Sequence, residues 1–231
     1  MSKIFKKPVL AIVSLFLFAS CAADGGTGNP LIRPLQYFSY MNGDDIRKSC
    51  ENGSTSHYRL IYNALYEEQV RTYDIRQDFN RKIGEQETRV FSRGIGSQVD
   101  VSVGGLDFKS NFRSVEPLSY DDLVAIDRAL VSSKFERPTI NGQILHSDEF
   151  YWVGMVCRNG NFKYYAWSQK ETDIKNLPFL KVLSKGDTTG AYVQEFKIPV
   201  IYGRGGRANH GQGRGNSGYF SLEVGDNALK L

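Results

Sequence analysis

An α+β domain, mainly antiparallel β-sheet with one well-defined amphipathic helix packed on it, is the fold predicted for residues 36–231. Three observations predict it. Between residues 88 and 115, short runs rich in Val and Phe alternate with polar residues and are punctuated by Gly94, Gly96, Gly104 and Gly105. Asn159-Gly160 stands between two apolar runs and is the pair a two-residue hairpin favours, because both central residues need positive φ. Residues 119–133, SYDDLVAIDRALVSS, combine a 3.6-residue apolar stripe with helix start signals.

In chain order, GDDIRKSC (43–50) reads as a short helical turn, with acids early and bases late as the helix dipole prefers. The segment HYRLIYNALYEEQVRTYDIRQ (57–77) fits two periods. Alternation puts Tyr58, Leu60, Tyr62, Ala64 and Tyr66 on one strand face, whereas helical spacing links Ile61 and Leu65. Its Tyr, Ile, Val and Thr content favours two strands with a kink near Asn63-Ala64. TRVFSRG (88–94), QVDVSVG (98–104) and LDFKSNFRSV (106–115) read as strands, the second burying Val99, Val101 and Val103 on one side. In the helix, Ser119 is the cap, Asp121 and Asp122 occupy the first turn, and Pro117 lies just upstream. Leu123, Ile126 and Leu130 form its stripe, widened by Val124 and Val131.

The Asn-Gly turn also sets a register for residues 150–169. Cys157 faces Phe162, Met155 faces Tyr164 and Val153 faces Ala166 on one side of the sheet. Trp152 faces Trp167, Gly154 faces Tyr165 and Val156 faces Lys163 on the other. Both sides are largely apolar, which predicts a central hairpin covered on both faces. DIKNLPFLKVLS (173–184) reads as a short helix broken by Pro178, AYVQEFKIPVIYG (191–203) as a strand, and YFSLEVG (219–225) as the last strand.

The amino-terminal stretch decides how the rest is read. Lys3, Lys6 and Lys7 precede an apolar run from Val9 to Ala19, and the small residues Ala19 and Ser20 precede Cys21. This order is that of a secretory signal, and the run is too short to span a bilayer. Phe18-Ala19-Ser20-Cys21 resembles a bacterial lipobox. The resemblance implies that residues 1–20 are a lipoprotein signal peptide and that Cys21 is the lipid-modified first residue of the mature chain. Ala22, standing where Asp would retain a lipoprotein in the inner membrane, implies an outer-membrane anchor with the domain in the periplasm. Residues 21–35, rich in Gly, Pro and Asn, then read as a lipidated flexible tether. Removing Lys3, Lys6 and Lys7, with no acid alongside them, lowers the formal charge from +4 to +1. A nearly neutral chain has no general attraction for nucleic acid. Export also bears on Cys50 and Cys157, the two cysteines besides Cys21: an oxidising compartment implies that they form a disulfide, with a free reactive Cys157 as the alternative.

No catalytic residue, metal site or cofactor is assigned. His57, His146 and His210 show no ligand spacing, and Gly215-Asn216-Ser217-Gly218 lacks the strand-to-helix elbow of a serine hydrolase. Two stretches are candidates for ligand binding. GRGGRANHGQGRGNSG (203–218) interleaves Arg204, Arg207 and Arg214 with glycines, a composition that can grip an anion through guanidinium and backbone N–H groups. Trp152, Trp167 and Tyr165 could make a platform for a sugar ring, Gly154 leaving a shallow pocket; the competing reading puts these rings in the core beneath the 119–133 helix. The expected function is therefore a non-enzymatic envelope lipoprotein, joined to the membrane through Cys21 and binding an envelope protein or cell-wall component. The alternatives are a periplasmic hydrolase or transferase built from dispersed residues such as His146, Asp148 or Cys157, and a glycan- or anion-binding module.

Overall fold

The computed structural model describes residues 32–51, 56–78, 80–92, 99–102, 105–108, 110–170, 172–196 and 220–230. Two helices come first, α1 (Ile32–Asn42) and α2 (Asp44–Glu51), followed by strands β1 (Ser56–Ala64), β2 (Gln69–Asp78) and β3 (Ile83–Ser92). A two-stranded hairpin, β4 (Val99–Ser102) and β5 (Gly105–Phe108), leads into β6 (Phe112–Leu118) and helix α3 (Tyr120–Ser132). Then come β7 (Ile144–His146), β8 (Phe150–Arg158), β9 (Asn161–Ser168), helix α4 (Phe179–Lys185), β10 (Ser221–Val224) and β11 (Leu229–Lys230). The architecture is mostly antiparallel sheet with a few helices. The helix expected at 119–133 is present as α3, but it is one of four among the described residues. None of the described helices is long and apolar enough to cross a membrane.

Six strands form the central sheet, in the order β6-β3-β2-β1-β8-β9. Period-two alternation sends neighbouring residues to opposite faces, and both faces are covered. On one face, Tyr58, Leu60, Tyr73, Ile75, Trp152 and Trp167 pack under α3 and α4. On the other, Ile61, Val70, Val153, Met155, Cys157 and Tyr164 pack under α1, α2 and the small β11-β10-β7 sheet.

The β8–β9 hairpin has the register that Asn159-Gly160 predicts, from Cys157 opposite Phe162 to Trp152 opposite Trp167. Asn159 at φ 51° and Gly160 at φ 75° make the turn. The hairpin is not central, however, because β9 is an edge strand. Its free edge is closed by Asn227, whose Oδ1 accepts from the Tyr164 N–H at 2.6 Å and whose Nδ2 donates to the Phe162 carbonyl at 3.1 Å. The other edge, β6, carries Pro117, which has no N–H to offer a further strand.

Several expectations are corrected. Residues 57–77 do not kink at Asn63-Ala64; the chain reverses completely at Leu65–Glu68, with Leu65 at φ 60° and both Glu68 and Gln69 donating to its carbonyl. Residues 106–115 are two strands, broken where Asn111 turns its Oδ1 to the Ser92 N–H. Pro178 does not break a helix but stands at the start of α4, where a missing N–H costs nothing. Residues 191–196 form no strand; their carbonyls are taken by side chains of β2, as described below, and 197–203 lie outside the described residues. The stretch 21–35 expected as a tether already contains the start of α1 at Ile32.

Cys50, near the end of α2, and Cys157, on β8, form a disulfide with Cα atoms 5.5 Å apart. The helix pair is held a second way, by polar contacts that reach down to β1 and β2.

Candidate functional site

The sequence-predicted platform does not reach solvent. Trp152, Trp167 and Tyr165 are 4%, 1% and 7% exposed. Phe135 and Phe179 pack their rings 6.0 and 5.1 Å from that of Trp167, and the Trp167 Nε1 donates to the Ser133 carbonyl at 2.7 Å. The space over Gly154 is filled as well: a Cβ there would lie 3.0 Å from Trp167 Cζ3 and 3.3 Å from Phe135 Cε2. These aromatics are core, and a sugar ring has nothing to stack on. Arg204, Arg207 and Arg214 lie outside the described residues. Cys157 is bonded to Cys50, which removes it as a nucleophile. His146 lies on β7 in the small sheet, and Asp148 is exposed in the turn that follows.

Two polar arrangements that the sequence reading did not anticipate carry the chemistry-bearing groups. The first joins α1 and α2 to the sheet. Arg59 on β1 and Asp74 on β2 are directly opposite each other, and the Arg59 Nε donates to both carboxylate oxygens, at 3.0 and 3.2 Å. Tyr40 of α1 donates its hydroxyl to Asp74 Oδ2 at 3.0 Å, and the Nε2 of His57 sits 2.8 Å from Asp74 Oδ1. The two terminal nitrogens of Arg59 grip Asp45 of α2 at 2.9 and 2.8 Å, and the guanidinium lies 3.9 Å over the Tyr40 ring. Burial alone would raise the Asp74 pKa, but Arg59, His57 and Tyr40 outweigh it and hold the carboxyl well below the usual range. Burial also opposes ionisation of Asp45, and the bidentate bond to Arg59 reverses that. Burial followed by the Asp74 charge pushes the Tyr40 hydroxyl up. Arg59, Asp74 and Asp45 are thus charged and mutually satisfied. Tyr40, Asp45, Arg59 and Asp74 clasp the two helices to β1 and β2, and His57 adds a bond to Asp74 within the sheet.

The second arrangement lies on the opposite face, at the start of β2. Arg71 is 1% exposed and pairs with Asp187. Its Nη2 donates to the carbonyls of Ala191 and Tyr192 at 2.8 and 3.1 Å. Gln69 works beside it: its Nε2 donates to the Tyr192 carbonyl at 2.9 Å, and its Oε1 accepts from the Gln194 N–H at 3.1 Å. Asp187 in turn accepts from the Thr189 hydroxyl at 2.6 Å. Residues 187–194 therefore form a strap whose backbone is pinned to the sheet by a buried cation. Its side chains at Tyr192 and Val193 point away and are 66% and 46% exposed.

Among the described residues, an open depression at the β2–β3 turn, lined by Arg76, Gln77, Asp78, Ile83, Gly84 and Glu85, has a volume of about 220 Å³. The cleft between β6, α3 and α4, lined by Glu116, Leu118, Asp122, Ile126, Val182 and Lys185, has a volume of about 100 Å³. Pockets for drug-sized ligands run to roughly 300–1,000 Å³, so this cleft suits a few water molecules. Among the described residues, no three of His, Cys, Asp and Glu are placed to share a metal ion.

Sequence pattern gave no warning of either arrangement. Reading the clasp requires the β1–β2 register, and that hairpin turns on Leu65 at positive φ with no Gly, Asn or Asp in the reversal. Arg71 and Asp187 are 116 residues apart. No family model, no curated protein and no solved structure matches the chain.

Proposed function

We propose that the protein is a membrane-anchored bacterial envelope lipoprotein, acylated at Cys21 and held on the outer membrane, whose domain is a non-enzymatic binding or structural module facing the periplasm. The observation that carries this reading is the Cys50–Cys157 bond. Two cysteines 107 residues apart meet with both side chains buried, joining α2 to β8. Structural disulfides of this kind belong to oxidising compartments, the periplasm among them. The leader resembles an export signal, so a covalent feature of the folded domain and a targeting feature of the sequence support the same reading. The clasp supports the non-enzymatic part: its Tyr40, Asp45, Arg59 and Asp74 side chains are taken up in securing the two helices that follow the tether.

The test is fractionation of cells that express the wild type and Cys21→Ser. The wild-type chain is expected in the outer-membrane fraction, with the mass of an acylated mature protein beginning at Cys21. Cys21→Ser is expected to lose the acyl mass and leave that fraction. An unmodified wild-type mass, or the same distribution for both chains, would overturn the proposal.

A further inference from the structure

The strap and the start of α1 occupy the same end of the domain. Tyr37 packs its ring 5.3 Å from Tyr66, in the β1–β2 turn, and 5.5 Å from Phe220. One helical turn later Tyr40 has reached Asp74, in the middle of β2, and Gly43 abuts Met155. α1 therefore runs away from the β1–β2 turn, and its first residue, Ile32, lies at the turn end. Gln69 and Arg71, which pin the strap, are the first and third residues of β2 and come directly after that turn. Phe112, 47% exposed, begins β6 at this end too, opposite Val90. The β2–β3 turn, Cys157 and the Asn159-Gly160 turn are at the other end.

We infer that the β1–β2 end is the membrane-facing surface of the domain, with Tyr192 and Val193 seated among the headgroups of the leaflet that holds the Cys21 lipid. The inference rests on the lipoprotein reading and adds an orientation and a contact to it. Ten residues, 22–31, separate Cys21 from Ile32. Fully extended they reach no more than about 35 Å, so the end at which α1 begins is tied to the bilayer and the opposite end is not. Tyrosine beside an aliphatic residue suits the membrane–water interface, where one part of the ring is apolar and its hydroxyl stays wet. A lipid anchor is strengthened by a second, weaker contact of this kind. The buried Arg71 gives the strap a fixed backbone, which presents the Tyr192-Val193 pair without further ordering of that loop on contact. Glu67 and Glu68, exposed in the β1–β2 turn, keep this end at headgroup depth, because carboxylates are costly in hydrocarbon. The bilayer is preferred to a second copy because the tether keeps it within reach of this surface, whereas nothing holds another protomer there.

The experiment uses the full-length lipidated protein in phosphatidylethanolamine–phosphatidylglycerol vesicles, with a nitroxide at Val193→Cys or, as control, at Arg81→Cys in the β2–β3 turn. Collision rates with oxygen and with a water-soluble nickel chelate are compared before and after reconstitution. The label at 193 is expected to lose nickel collisions and gain oxygen collisions, while the label at 81 keeps its solution values. Equal behaviour at the two sites in a chain whose mass shows acylation would overturn this orientation and leave the lipoprotein reading standing. Protection at 193 that follows protein concentration rather than lipid would assign the surface to a second copy and overturn it as well. A mass without acylation would overturn both.

Discussion

Asp74 shows how one residue can hold several elements. It is a buried carboxylate with partners from α1 (Tyr40), from two positions on β1 (His57 and Arg59) and, through Arg59, from α2 (Asp45). Taking an ion pair out of water costs several kcal/mol, which close geometry and filled hydrogen-bonding positions repay. The consequence is asymmetric: the pair adds little over an apolar replacement, but half of it is worse than none. Asp74→Ala leaves the Arg59 guanidinium buried beside Tyr40 with only the half-exposed Asp45 as counter-ion, and is expected to cost about 3–5 kcal/mol. The double variant Arg59→Met/Asp74→Leu is expected to lose markedly less than Asp74→Ala alone. Urea unfolding of the two variants and the wild type checks this, and a double variant at least as unstable as the single one would contradict it. Other polar atoms in the same core lack the satisfaction that Asp74 has: the Tyr37, Tyr151 and Tyr164 hydroxyls are buried without a protein partner. Burial pushes all three up; Tyr151 adds to the rise in Tyr37 and Tyr164, and Tyr66 and Glu149 add to it in Tyr151.

At the scale of elements, α2 is the piece that depends most on covalent help. An isolated helix shorter than about 12–15 residues is marginal in water, and α2 has eight. It is fixed at its start by Asp45, near its end by Cys50, and through Ile46 in the core between them. The chain-entropy account gives a disulfide spanning 107 residues about 4–5 kcal/mol. The Cys50→Ala/Cys157→Ala variant is expected to lose about 2–5 kcal/mol. Its amide exchange should rise first in α2 while β1, β2 and β8 stay protected; uniform loss of protection would show that α2 is not a separable element. Legibility in the sequence also divides by element. The β8–β9 hairpin could be read residue by residue, because Asn159-Gly160 admits one tight register. The α3 start was legible through Ser119 and Asp122, which form a reciprocal capping box. Helix α1 was hidden because it has no acid in its first turn and follows a Gly- and Pro-rich stretch with no cap signature. Residues 191–203 read as a strand; what distinguishes 191–194, the part of the strap within that stretch, is that Arg71 and Gln69 take carbonyls there, and the sequence does not encode that contact locally.

Across the whole molecule, carboxylates with depressed pKa values sit where one element meets another. Asp74 and Asp45 join α1 and α2 to the sheet, Glu87 bridges β3 and β6 through Arg113, and Asp122 joins α3 to α4 through Lys185. In Glu87, burial is opposed and outweighed by Arg89 and Arg113; in Asp122, the bond from Lys185 is the main cause. Each of these groups has a lower pKa folded than unfolded. The stabilisation is therefore complete above the ordinary carboxylate value of about 4 and is lost as pH falls through the depressed folded values. Acid should loosen both faces of the sheet together. The contributions differ in how salt affects them, since the exposed Arg113 and Lys185 pairs are screened and the enclosed Arg59–Asp74 pair is not. The melting temperature, followed by the near-ultraviolet signal of the buried Trp152 and Trp167, is thus expected to fall as pH drops below about 4, and to keep much of that fall in high salt. Asp74→Asn is expected to melt lower than the wild type at neutral pH yet fall less steeply in acid, because its most strongly depressed carboxyl is gone. Parallel acid slopes for the two proteins would mean that Asp74 ionises like an ordinary surface carboxylate, and the clasp would then have to be held by packing instead of charge.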